Sequence, residues 1–149
     1  MKSKIISLTI VLVALFCSNI SAQNKALVGT WRLVAQKVTN PDGSIYNADS
    51  TSTNMRKIFT PTTVVVIYEK VIPELDNQKI VVSCAGGRYS LTGDEYQEFI
   101  DFASYKDFKS MTAKFKLTIE NGKLHTLGSL TNNANGQVAI YDEWYIKAD

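Results

Sequence analysis

One pattern limits the fold more than any other feature of the chain. From residue 27 to residue 147, runs of four to twelve residues rich in Val, Ile, Thr, Tyr and Phe alternate with turns. The runs cover 27–38, 55–59, 63–68, 79–84, 88–91, 95–102, 112–119, 124–130 and 138–147. Several turns have a clear mechanism: in Asn40-Pro41-Asp42-Gly43, Pro presets φ and Gly accepts a left-handed position. Asn121-Gly122 is a strong short-range hairpin signal, and Thr92-Gly93-Asp94 predicts another hairpin. Gly86-Gly87 suggests a bulge or sharp bend. Residues 44–54 are polar and read as a loop or lid, 71–77 is an ambiguous connection, and 104–110 has room for one short helical turn.

Such spacing predicts an all-β domain: a single antiparallel up-and-down β-barrel of about 8–10 strands. Short hairpins and a long last strand favour a meander closed on itself, because closure removes both exposed edges. A chain of 149 residues with 45% hydrophobic side chains can build one real core but not two comfortable ones.

The N-terminus reads as an address. Lys2 and Lys4 precede an apolar run over 5–16, and Ile20-Ser21-Ala22 supplies a small residue for cleavage. The expectation is a signal peptide over 1–22 and a β-barrel domain over 23–149, secreted or periplasmic. A retained anchor helix is one alternative. A lipoprotein bearing its lipid on Cys17 is another, although bulky Phe16 precedes that cysteine. Loss of Lys2 and Lys4 leaves 14 basic residues against 14 acidic ones, so nucleic-acid binding loses its compositional support. Lys106, Lys109, Lys114 and Lys116 read as a solvated face. Cys84 is then alone, cannot form an internal disulfide, and ends an apolar run as a buried structural thiol would.

Catalytic signatures are sparse. His125 has no partners at metal-ligand spacing, and the chain has no nucleophile elbow, Walker loop or dinucleotide fingerprint. No cofactor or metal is expected, and the chain reads as a non-enzyme. Two strands are more informative because neither of their faces is purely apolar. Tyr96, Glu98, Ile100 and Phe102 oppose Gln97, Phe99 and Asp101; Val138, Ile140, Asp142, Trp144 and Ile146 oppose Ala139, Tyr141, Glu143, Tyr145 and Lys147. Either a ligand-holding interior carries a few placed polar groups, or the charges lie outside and the aromatics cover the barrel. Alternation alone leaves both readings open.

Gly29-Thr30-Trp31 within the first run resembles the opening strand of lipocalin-like proteins. Gly87-Arg88-Tyr89-Ser90-Leu91, followed by Gly93-Asp94-Glu95-Tyr96-Gln97-Glu98-Phe99-Ile100, resembles a hairpin of small exported bacterial lipocalin-like proteins of unknown function; Glu143-Trp144 resembles their ending. The resemblance implies a calycin-type barrel that binds a small molecule, with the tryptophan plugging its closed end. That family often has an Arg after the closing Trp, whereas Tyr145-Ile146-Lys147 stands here, so a basic cap over Trp31 is Lys147 or absent.

The resulting expectation is a monomer or weak dimer that binds a small, at least partly apolar ligand in the barrel. Trp31 is structural, and Arg88, Tyr96, Glu98, Tyr141 and Glu143 are the candidate ligand-orienting groups. If Glu98 faces a cavity, it needs a tyrosine or a cation such as Arg88 as partner. A filled barrel contacting a protein or glycan partner is the main alternative, and an enzyme using Glu98 with a tyrosine or arginine is a third.

Overall fold

Among the described residues of the computed structural model, 25–148 apart from 105 and 107, nine strands follow one another in chain order. They are β1 (Gly29–Thr39), β2 (Ile45–Asp49), β3 (Asn54–Phe59), β4 (Thr63–Ile72), β5 (Gln78–Thr92), β6 (Glu95–Ala103), β7 (Met111–Glu120), β8 (Lys123–Asn132) and β9 (Val138–Lys147). The expected signal segment, 1–22, lies outside the described residues.

Every neighbouring pair is antiparallel, and β9 pairs back onto β1 from Trp31↔Lys147 to Thr39↔Ile140. β2 and β3 share one edge of β1: β3 pairs with Gly29 to Arg32, and β2 with Ala35 to Thr39. Nine segments therefore fill eight positions of a closed up-and-down barrel, which fulfils the fold expectation.

The two ends of the barrel differ. One is closed by tight connections at 60–62, 93–94 and 121–122. At the last of these, Asn121 and Gly122 have φ of 52° and 74°, the left-handed values a two-residue hairpin turn requires. Trp31 fills this end. It is 1% exposed, its Nε1 donates to the Leu27 carbonyl at 2.7 Å, and Lys147 Nζ lies 4.8 Å from its ring centroid. Lys147 Nζ also donates to the Val28 carbonyl at 2.6 Å, so the basic cap over Trp31 is present. Leu27, Leu33, Phe59, Leu91, Leu117, Leu124 and Tyr145 complete a buried core around it.

Longer connections surround the opposite, open end. There, residues 44–54 differ from the expected loop, since Ile45–Asp49 pairs with β1 as β2. Ala48 is the one buried side chain of β2, so backbone pairing, not a hydrophobic stripe, holds the strand. Its end is fixed by Asp49, whose carboxylate accepts from the Thr51 hydroxyl and from the backbone N–H of Ser52 and Thr51. These bonds draw its pKa down to about 2. The segment at 71–77 extends β4 to Ile72 and then makes a short 3-10 turn over Pro73–Leu75.

The runs at 79–84 and 88–91 are one strand, β5, with a register shift between Gly86 and Gly87 where it meets β6. A Cβ on Gly87 would collide with the Phe99 carbonyl oxygen, so the close strand approach requires glycine. The helical turn expected over 104–110 falls partly on residues 105 and 107, and the described remainder is irregular. Cys84, expected to be buried, is free and half-buried.

Candidate functional site

Midway along the barrel axis a lysine enters the interior. In β3, Met55, Lys57 and Phe59 share the inward face because strand side chains alternate, and Lys57 is 4% exposed. Two carboxylates meet its ammonium: Glu98 Oε1 from β6 at 3.0 Å and Glu143 Oε2 from β9 at 3.2 Å. The rings of Phe115 and Tyr145 lie 5.2 Å and 5.4 Å from Lys57 Nζ and add cation–π attraction.

The carboxylates differ in how completely they are partnered. Gln36 Nε2 donates to Glu143 Oε1 at 2.7 Å; the Tyr145 hydroxyl at 2.8 Å, Thr126 Oγ1 at 3.2 Å and Lys57 all donate to Oε2. Glu98 Oε1 takes Lys57 and the Tyr96 hydroxyl, the latter at 2.8 Å. Among the described residues no hydrogen bond reaches Glu98 Oε2, on a side chain that is 4% exposed.

Burial alone would push the Lys57 ammonium toward its neutral form. The fields of Glu143 and Glu98, with the hydrogen bonds to them, reverse this and hold it above its ordinary value. Burial likewise works against an ionised Glu143, but Lys57, Tyr145 and Gln36 outweigh it and keep the carboxyl below its usual range. Burial and the adjacent carboxylates drive the Tyr96 and Tyr145 hydroxyls well above 10, so both tyrosines remain protonated donors.

Above this cluster the barrel is hollow. A cavity of about 270 Å³ is lined by Lys57, Glu98 and Glu143, by Met55, Val66, Ile100, Met111, Phe115 and Leu130, and by the small side chains of Ser83, Ala85 and Ala113. Tyr68 and Tyr141 line it too, and they also border a second hollow of about 420 Å³ with Gln36, Val38, Asn40, Tyr46 and Thr53. Because β2 pairs with β1 alone, the wall is incomplete on this side and the second hollow forms a vestibule.

Of the five residues expected to orient a ligand, Glu98, Tyr141 and Glu143 line the cavity, and Tyr96 reaches it through Glu98. Arg88 does not join them, and its placement is a correction. Across the β5–β6 pair, Glu98 faces Tyr89, whereas Arg88 faces Phe99 on the other face. Arg88 is consequently outside the barrel, where it pairs with Asp101 at 3.1 Å. The cation for Glu98 is Lys57, which shares its alternating face with Met55 and Phe59; that shared face was the available sequence signal. Gln36 and Thr126 were also missed, each being an isolated polar residue on an inward face.

His125 sits on the outer wall, stacked on Trp144 at 4.0 Å and hydrogen-bonded to Asp142 at 2.8 Å. Among the described residues, no group of three or more His, Cys, Asp or Glu could hold a metal. No helix among them is long and apolar enough to cross a membrane.

The fold and site define a closed eight-stranded antiparallel up-and-down barrel with a charged cluster beneath a mostly apolar cavity. No protein-family model matches the chain, and no curated protein sequence matches it.

Proposed function

We propose that this chain is an exported lipocalin-like protein that takes a small, at least partly apolar molecule into the open half of its barrel. The supporting observation is the 270 Å³ cavity with mostly apolar walls and a polar floor. A dry cavity of about 150 Å³ already holds benzene, and ligand pockets commonly start near ~300 Å³. The occupant is therefore small, on the order of ten non-hydrogen atoms. Export rests on the features of residues 1–22, and the lipocalin-like reading on the motifs at Trp31, 87–100 and Glu143-Trp144.

Binding, rather than acid/base catalysis, agrees best with the chemistry of the floor. Proton transfer is most effective when the group titrates near the working pH. Tyr96 and Tyr145 are driven far from that range, and four donors occupy the oxygens of Glu143. A second reading, a module that docks a partner on its outside, has the exposed Val71, Leu75, Ile80, Val81 and Val82 in its favour.

Calorimetric titration with 2-phenylethanol tests the first reading. Wild type should bind it saturably, and Ala85→Leu, which narrows the cavity, should bind it markedly more weakly while its melting temperature stays within a few degrees. Equal binding by both proteins, or failure of folded wild type to bind this alcohol and its amine and carboxylate counterparts at millimolar concentration, would overturn the cavity reading.

A further inference from the structure

We propose, building on the binding reading above, that the cavity selects a small lipophilic amine, an ammonium head on an aromatic or aliphatic body, and that Glu98 Oε2 is the atom that receives it. Three observations lead there. The first is the charge count of the interior: Lys57 faces two carboxylates, so with all three groups ionised the floor carries one net negative charge. A charge in a water-poor interior is costly unless it is paired, and a cationic guest supplies the missing partner.

The second is the division of labour between the carboxylates. Glu143 has its oxygens taken by Gln36, Lys57, Thr126 and Tyr145, which makes it the resident counter-ion of Lys57. Glu98 spends only Oε1, on Lys57 and Tyr96. Among the described residues no hydrogen bond reaches its Oε2, on a side chain that is 4% exposed, and the residue lines the cavity. A carboxylate oxygen left open toward a hollow calls for a donor on the ligand. An ammonium donates and also balances the charge.

The third is the wall. Tyr68, Phe115 and Tyr141 present aromatic rings around the same space, and ring faces attract cations while covering an apolar body. A carboxylate guest would have Lys57 to contact, but Lys57 is already doubly paired, and the guest would add a second uncompensated negative charge beside Glu98. The cavity therefore discriminates by sign.

The test uses three ligands with one skeleton, titrated calorimetrically into the full chain at neutral pH: 2-phenylethylamine, 2-phenylethanol and phenylacetate. The amine should bind at least about tenfold more tightly than the alcohol, the margin expected when a neutral hydrogen bond becomes charge-assisted. Phenylacetate should bind most weakly. In Glu98→Gln the amine should fall to within about threefold of the alcohol, with the alcohol's affinity little changed.

The wild-type series decides the sign preference even if the variant folds poorly. Alcohol binding with an amine no tighter, or phenylacetate as the tightest ligand, would overturn the amine inference and leave cavity binding standing. An amine preference that survives in folded Glu98→Gln would overturn the role given to Oε2. If none of the three binds at millimolar concentration, the cavity reading falls and this inference falls with it.

Discussion

In the closed half of the barrel the inward positions carry Trp31, Leu33, Phe59, Leu91, Leu117, Leu124 and Tyr145, all packed against one another. In the open half the corresponding positions of β5 and β7 carry Ser83, Ala85 and Ala113, and a cavity of about 270 Å³ remains. The same antiparallel strands run through both halves, so the backbone does not decide which end is solid. Side-chain volume at a few inward positions does, because a packed interior tolerates few voids. At the boundary lie Lys57, Glu98 and Glu143, partnered from below by Tyr96 and Tyr145 and open above. The closed half is where stability is concentrated, and the open half is where stability has been given up for space.

The largest effect should come from the boundary. Lys57→Met strands two buried carboxylates, and breaking such a cluster costs about 3–5 kcal/mol, here at the upper end of that range. The loss should shrink as pH falls, since the abandoned carboxyls can then bind protons in the folded state. Denaturant midpoints of the variant and wild type, measured from pH 7 to pH 4, should converge; a constant difference would mean that the cluster is not the cause.

Next is Trp31→Ala, which should cost roughly 3–5 kcal/mol out of the ~5–15 kcal/mol typical of a domain. Its denaturant midpoint should drop sharply, or the protein should fail to fold. An unchanged midpoint would remove Trp31 from the core.

Glu143→Gln should cost less, about 2 kcal/mol, because Glu98 still pairs with Lys57 and the amide preserves most of the shape. Its signature is in the pH dependence. The folded-state pKa of Glu143 lies below its ordinary 4.5. Its contribution is thus complete above that value and is lost as pH falls through the lower, folded-state value. Lys57 is raised, so its contribution persists below its ordinary 10.5 and disappears only as pH climbs through the raised value. Acid titration should show a shallower loss of stability in Glu143→Gln than in wild type; parallel curves would contradict this.

The smallest effect contrasts the halves directly. Ala85→Leu should change stability by no more than about 1 kcal/mol, because the added carbons enter a hollow, whereas overpacking a filled core costs about 1–3 kcal/mol. Leu117→Ala, in the closed half, should cost about 2–5 kcal/mol. Equal penalties would erase the distinction between the two ends.

Much of the barrel was legible because alternation and turn chemistry are local. Ala113, Phe115, Leu117 and Ile119 announce the inward face of β7, and Asn121-Gly122 announces its hairpin. β2 was not legible: Ile45 and Tyr46 are exposed and only Ala48 is buried, so the strand has no stripe to read. Within the site, Glu98 and Glu143 were visible as charges on otherwise mixed faces. What could not be read was which face turned inward, since that depends on closure between β1 and β9, distant in sequence. The Arg88 error has the same origin: opposite charges nearby in sequence suggested a pair, but the β5–β6 register puts them on opposite sides of the wall.

One half of the barrel is solid, and the other is the proposed seat of a guest. Methyl-resolved NMR during titration with 2-phenylethanol measures this most directly, because Met55 and Met111 line the cavity while Leu117 and Leu124 lie in the closed core. The methyl signals of Met55 and Met111 should move saturably with one shared dissociation constant while those of Leu117 and Leu124 stay fixed. Absence of saturable movement at Met55 and Met111, or equal movement in both halves, would show that the open half is not where the guest sits.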